Sequence, residues 1–185
     1  MSKQVHILGR QQSLFTQFLS EIRDVEIQKD SLRFRRNLER IGEVFAYEIS
    51  KVLDHRETSV KTPLGVAPTP VLKEQPVLAT ILRAGLPLHR GLLNYFDQAE
   101  NAFISAYRKH DGEADRFEVE IEYLSSPSIE GKTVILSDPM LATGSSMVLA
   151  YQAMLERGIP AFVHVVVIIA STEGETLTVL ANRES

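Results

Sequence analysis

The chain has 185 residues, 44% of them hydrophobic and 24% charged, with no cysteine, no tryptophan and a formal net charge of −4. That composition excludes a disordered chain, a disulfide scaffold, a thiolate zinc site and a cysteine nucleophile. The acidic balance gives no global field for binding a nucleic-acid backbone, although a local basic site for a small anion stays open.

The start, MSKQVHILGRQQ, has no apolar run of the signal-peptide kind. The first element is expected over residues 30–53. Phe34, Leu38, Ile41, Phe45, Ile49 and Val52 recur at steps of three and four, which buries one face of a helix. Asp30 or Ser31 caps it. Its other face, with Arg33, Arg35, Arg36, Glu39, Arg40, Glu43 and Glu48, reads as solvated. The following VKTPLGVAPTPVLKEQP is an extended arm or loop.

Beyond the arm, short apolar runs alternate with helical segments. Residues 77–82 (VLATIL) form a strand buried on both faces, and Pro87 opens a helix to about residue 94 or 96. Residues 102–107 (AFISAY) are the next strand. Phe117, Val119, Ile121 and Tyr123 alternate with glutamates, marking an antiparallel edge or flap strand open to water on one side. Residues 133–137 (TVILS) are a buried strand, residues 147–157 a helix stopped by Gly158, and residues 161–170 (AFVHVVVIIA) the last strand. That apolar run of about ten residues is too short to span a bilayer, which takes about 20. A soluble cytoplasmic protein is expected. Alternation of this kind implies an α/β fold with a mostly parallel sheet flanked by helices, and ligands then sit at the carboxyl ends of the strands.

Of the segments after those strands, VILSDPMLATGSS at residues 134–146 carries the most chemistry. Gly144 permits close backbone approach to an anion. Thr143, Ser145 and Ser146 offer hydroxyls, and the helix beginning near Ser146 points free N–H groups at the loop. Asp138, which repels phosphate, suits sugar hydroxyls or a metal-bound water. A phosphate cradle beside a diol acceptor reads as a ribose-phosphate site. The pattern is neither G-x-x-x-x-G-K-[ST] nor G-x-G-x-x-G. The histidines form no metal-ligand spacing, and His164, inside an apolar strand, reads as a core residue.

The string resembles the 5-phosphoribosyl diphosphate (PRPP) loop of type I phosphoribosyltransferases, with Ser137 in place of the usual first acid. D-P-M-L-A-T-G-x-S is similar to the uracil phosphoribosyltransferase family in particular. F-R-x-x-L-x-R-I-G-x-x-x-A-Y-E-I-S at residues 34–50, V-x-T-P-L-G at 60–65 and I-L-R-A-G-L at 81–86 match that family in order, so the likeness covers about residues 30–174. It implies one domain over residues 1–185. An N-terminal helix and arm fill residues 1–75, and a PRPP-binding core with a flap at about 108–127 fills residues 76–185. It implies the reaction of uracil with PRPP to give UMP and pyrophosphate, Mg²⁺ accompanying PRPP, and a homodimer with no nucleic-acid or membrane partner.

For individual residues the resemblance implies that Arg83 meets the pyrophosphate, that Arg108 is a second PRPP arginine on the flap with Lys109 nearby, and that Asp138 takes the ribose hydroxyls. These three would be the catalytic residues. Pro139 would stiffen the turn, Met140 and Leu141 would wall the base side, and Ala142, Thr143, Gly144, Ser145 and Ser146 would hold the 5′-phosphate. No residue is expected to be a dedicated protein ligand of a metal. Glu173 and Gly174 match the family's A-P-E-G, with no catalytic role for Glu173. The family's base-recognition string, of the Y-I-x-P-G-L-G-D-A-G-D type, has no counterpart in ETLTVLANRES after Gly174. That departure carries a second expectation, a regulatory paralogue that binds PRPP or a nucleotide without catalysis.

Overall fold

The computed structural model describes residues 5–110 and 117–171, with the backbone alone at 107–110 and 117–120. The flap tip, Arg116, Glu173 and Gly174 lie outside the described residues, as do the side chains of Arg108, Lys109 and His110.

A helix not expected from the sequence comes first. α1 (Leu14–Arg23) follows a short 3-10 turn at Leu8–Arg10 and buries Phe15, Glu21 and Ile22. α2 (Ser31–Ser50) begins where the capping argument put it, with the Asp30 carboxylate accepting the N–H groups of Leu32 and Arg33 at 3.1 and 3.0 Å. The helix ends before Val52, which is 66% exposed and is not part of the buried face.

The polar face of α2 also departs from expectation, because Asn37 and Glu39 are buried. The Arg33 guanidinium makes two bonds of 2.9 and 2.8 Å to Glu21, and the Asn37 amide adds a third at 2.7 Å. Arg33, with Asn37, holds the Glu21 carboxyl down at about 2. Glu39 takes Arg36 at 2.7 Å, Arg90 at 3.4 Å and Asn94 at 3.2 Å. The buried carboxylates Glu21 and Glu39 join α1 to α2 and α2 to the next helix, while Arg33, Arg35 and Arg36 stay exposed as the solvated face requires.

The arm is a two-stranded antiparallel ribbon, β1 (His55–Thr62) and β2 (Gly65–Leu72). Pro68 and Pro70 sit two positions apart on β2, so both missing N–H groups fall on the edge away from β1. Leu64 at the turn is fully exposed and Val66 is 70% exposed.

The central sheet holds β3 (Val77–Leu82), β4 (Glu100–His110), β5 (Phe117–Ser125), β6 (Thr133–Ser137) and β8 (Phe162–Val166), in the order β5-β4-β3-β6-β8. All pairs are parallel except β4 with β5. β3 and β6 are nearly wholly buried, as their continuous apolar runs require. Leu78 and Ile135 face one layer, with α1, α2 and α3 (Leu86–Leu93). Val77, Ala79, Ile81, Val134 and Leu136 face the other, with Met147, Ala150 and Met154 of α4 (Ser145–Met154). Each fully buried Leu or Ile in these layers contributes about 1.5–3 kcal/mol. α2 crosses α3 at two glycines. A Cβ on Gly42 would lie 2.4 Å from the Leu88 carbonyl oxygen, and one on Gly91 would lie 2.0 Å from that of Glu39.

The apolar run at 161–170 is not one strand. β8 stops at Val166, and the chain steps across to form β9 (Ile169–Ala170), which pairs in parallel with β7 (Met140–Leu141). α4 starts at Ser145, and a 3-10 turn at Leu155–Arg157 precedes Gly158, whose φ is +123°.

Candidate functional site

Three parallel strands deliver the expected residues to one edge of the sheet. β3 ends at Leu82, and Arg83 follows across a cis peptide bond. The Arg83 side chain is exposed and makes no ion pair among the described residues. It is therefore available to a soluble anion. Two residues on, Gly85 is buried, and a Cβ there would lie 2.1 Å from Thr80 Oγ1 and 2.7 Å from the Ile81 carbonyl oxygen. Its absent side chain lets the Arg83 turn fold back onto β3.

β4 continues beyond the sheet. Its parallel pairing with β3 ends at Ser105, opposite Leu82, while its antiparallel pairing with β5 runs on to His110 opposite Phe117. Arg108 thus lies within a projecting strand, opposite Val119. The ladder shifts by one residue between Ser105 and Ala106, where the hairpin leaves the sheet.

β6 ends in Ser137, which is buried with its hydroxyl donating to the Ala79 carbonyl at 3.1 Å. Thr80 Oγ1 donates back to the Ser137 carbonyl at 3.3 Å. A residue held this way inside the sheet explains why a neutral side chain stands there. Asp138 comes next, at the strand end, and is mostly buried. Burial pushes its carboxyl up to about 6, against a smaller opposing effect of the Met140 N–H that donates to it.

The loop after Asp138 is held from one side. The Asp138 N–H donates to the Val166 carbonyl at 3.1 Å, and the Pro139 carbonyl accepts from Ile168 and Ile169 at 3.2 and 3.1 Å. The Ser171 N–H donates to the Leu141 carbonyl at 2.9 Å, and the Ser171 hydroxyl donates to the Ala142 carbonyl. Leu141 itself is buried against α4, so its share of the site is backbone, whereas Met140 is 58% exposed. Ala142 and Thr143 are exposed. Gly144 takes φ +82°, the left-handed region that a glycine enters without strain, and there caps α4. The Thr143 and Ser145 hydroxyls lie 3.1 Å apart and the Ser145 N–H reaches Thr143 Oγ1 at 3.4 Å. Ser146 lies in the first turn of the helix. Among the described residues the N–H groups of Ala142, Thr143 and Gly144 donate to no protein acceptor. Free N–H groups, hydroxyls and a helix N-terminus in one short loop form an anion cradle beside a carboxylate.

Two of the histidines, His89 and His164, stand apart from this chemistry. His89 Nε2 lies 2.8 Å from Asn101 Oδ1, with its ring against Phe103, and His164 packs against Phe162 with 4.6 Å between ring centroids. Among the described residues no three His, Asp or Glu side chains gather as a metal site. The strap at 166–171 is the part of the site that the sequence reading missed, since an unbroken run of β-formers carries no sign of a change of partner.

The family model described as uracil phosphoribosyltransferase matches residues 9–183, a wider span than the four motifs cover. A curated uracil phosphoribosyltransferase from Porphyromonas gingivalis is 57% identical over 166 residues, 90% of this chain and 76% of its own. One from Pyrococcus furiosus is 36% identical over 163 residues, 86% of this chain and 68% of its own. Among solved structures, the AQ2163 protein of Aquifex aeolicus superposes with a TM-score of 0.80 at 28% identity, covering 94% of this chain and 81% of its own. A hypoxanthine phosphoribosyltransferase from Staphylococcus aureus gives 0.50 at 18% identity over 72% of this chain and 62% of its own, a likeness of fold alone. On the breadth of the family match and the identity of these relatives, the chain belongs to the uracil phosphoribosyltransferase family.

Proposed function

We propose that this chain transfers the 5-phosphoribosyl group of PRPP to uracil, giving UMP and pyrophosphate, as in pyrimidine salvage. Family membership supports the reaction, and the observation that carries the placement of PRPP is the loop at 138–146, where one carboxylate adjoins a cradle of free N–H and hydroxyl groups.

In this reading the 5′-phosphate sits on Ala142, Thr143, Gly144, Ser145 and Ser146, and Asp138 accepts the ribose hydroxyls. Arg83 and Arg108 face the pyrophosphate, Arg83 with a planar fork that suits phosphate oxygens. The bond from C1 to the pyrophosphate oxygen breaks with its electron pair leaving on the diphosphate, positive charge develops on the ribose, and uracil N1 forms the new bond as its proton passes to the departing diphosphate or to water. The protein's part is positional and electrostatic. The arginines stabilise the departing anion, and the β4–β5 hairpin projects beside the site as a cover against water. Mg²⁺ generally takes one or two carboxylates plus substrate phosphates, so a single strand-end aspartate fits an ion that arrives with PRPP. When bound, that ion neutralises the charge of the diphosphate.

The reading includes a homodimer. A two-stranded ribbon alone is marginal in water, and β1–β2 ends in the exposed Leu64 and Val66, which a second copy would cover. It places the protein in the cytoplasm without a nucleic-acid partner. Against an RNA partner stand the acidic balance of the chain and the pairing of the α2 arginines, since Arg33 and Arg36 are ion-paired and Arg40 lies on Asn37 and Phe18. The test is UMP formation from uracil, PRPP and Mg²⁺, with hypoxanthine as the control base. Uracil-dependent release of pyrophosphate is expected. A folded protein that binds PRPP and forms no UMP would overturn the catalytic claim and leave the regulatory alternative.

A further inference from the structure

We propose that Ser171 is a positioning residue for the phosphate loop, its hydroxyl turning two successive backbone N–H groups toward the 5′-phosphate. The inference rests on the reading of residues 142–146 as the 5′-phosphate cradle. Along an extended strand, successive carbonyls point to opposite sides. β7 obeys that rule up to Leu141, whose carbonyl takes the Ser171 N–H at 2.9 Å. The Ala142 carbonyl should then point away from β9. It is instead bonded to the Ser171 hydroxyl, so two successive carbonyls turn to the same residue. In a planar trans peptide the N–H points opposite to the C=O. The N–H groups of Ala142 and Thr143 therefore both face away from the strap.

Two successive N–H groups on one side of the chain form a concavity for an anion. Both residues are exposed, and among the described residues neither N–H has a protein acceptor. The same geometry explains the preceding peptide. The Pro139 carbonyl is held by Ile168 and Ile169, and the Met140 N–H beyond it is turned onto the Asp138 carboxylate. Backbone bonds from β9 thus aim the ribose acceptor, and one side-chain hydroxyl aims the phosphate donors.

The experiment compares wild type with Ser171→Ala and Ser171→Thr, using UMP and uridine as binding probes and PRPP turnover as the kinetic readout. Ser171→Ala keeps the N–H bond to Leu141 and loses only the hydroxyl. Its affinity for UMP should fall about tenfold while its affinity for uridine, which has no 5′-phosphate, stays within about twofold. The KM for PRPP should rise by a similar factor with kcat and the KM for uracil nearly unchanged, and Ser171→Thr should restore wild-type values. A uniform loss for UMP and uridine alike, or no loss in the alanine variant, overturns the role of Ser171. A wild-type protein that binds uridine as tightly as UMP overturns instead the reading of the loop. If Ser171→Ala does not fold, Ser171→Cys, with a weak donor of similar size, makes the same comparison.

Discussion

Asp138→Asn should make the fold more stable and the protein inactive, and the pH dependence of the gain identifies its cause. Burial raises the Asp138 carboxyl from 3.8 to about 6. At roughly 1.4 kcal/mol per pK unit, keeping that carboxylate charged inside the fold costs about 3 kcal/mol above pH 6. Because the folded value lies above the unfolded one, the native state binds the proton more tightly. The associated stability is complete below about pH 4 and is lost as pH rises through about 6. Asparagine has no charge to lose, and its side-chain oxygen still accepts the Met140 N–H. The variant should therefore gain about 2–3 kcal/mol at pH 8, or about 5–10 °C in thermal midpoint for a chain of this size, and nothing at pH 3.5. Thermal melts of both chains at the two pH values, beside a UMP-formation assay, make the measurement. A variant no more stable than wild type at pH 8 would refute the reasoning, and an equal gain at both pH values would assign it to packing instead of charge.

Gly85→Ala should destabilise the fold by about 2–4 kcal/mol and abolish PRPP turnover, because the new methyl meets Thr80 Oγ1 and the Ile81 carbonyl. Adding Thr80→Ala should restore part of the urea midpoint. Arg83→Lys should raise the KM for PRPP about tenfold and Arg83→Ala further, with thermal midpoints unchanged since the side chain is exposed. An unchanged KM in both would remove Arg83 from the site. Glu21, held low by Arg33, contributes stability that is present above pH 4.5 and lost as pH falls toward 2. Glu21→Gln should be less stable than wild type at pH 7, and its urea midpoint should fall less between pH 7 and pH 3. Size-exclusion with light scattering should give a dimer, and Leu64→Asp with Val66→Asp should shift it toward monomer.

What could be read from the sequence follows the range of the forces involved. VLATIL and TVILS gave themselves away because a strand buried on both faces has no room for polar residues. Asp30 was readable as a cap because its partners are two and three residues away. The site loop was legible as a string for the same local reason: Asp138, Gly144 and the hydroxyls lie within nine positions. α1 does carry a signal, in the apolar Phe15, Phe18, Leu19 and Ile22 at helical spacing. The buried state of Glu39 could not be seen, since Arg90 and Asn94 lie some fifty positions on. A separation of about thirty positions likewise hid the strap. Nothing in AFVHVVVIIA tells that its first half pairs with β6 and its last two residues with Met140 and Leu141.

That division of the last apolar run bears on the order in which the molecule comes into being. β3, β4 and β6 can pair as soon as residue 137 has been made, and α4 can pack on them soon afterwards. The loop at 138–142 cannot take its final shape then, because the groups that hold its carbonyls belong to residues 166–171. A nascent chain halted between Met154 and Val166 would carry much of its core and every expected PRPP residue, yet no ligand site. Competence to bind would arrive late and abruptly, with the emergence of β9 from the ribosome.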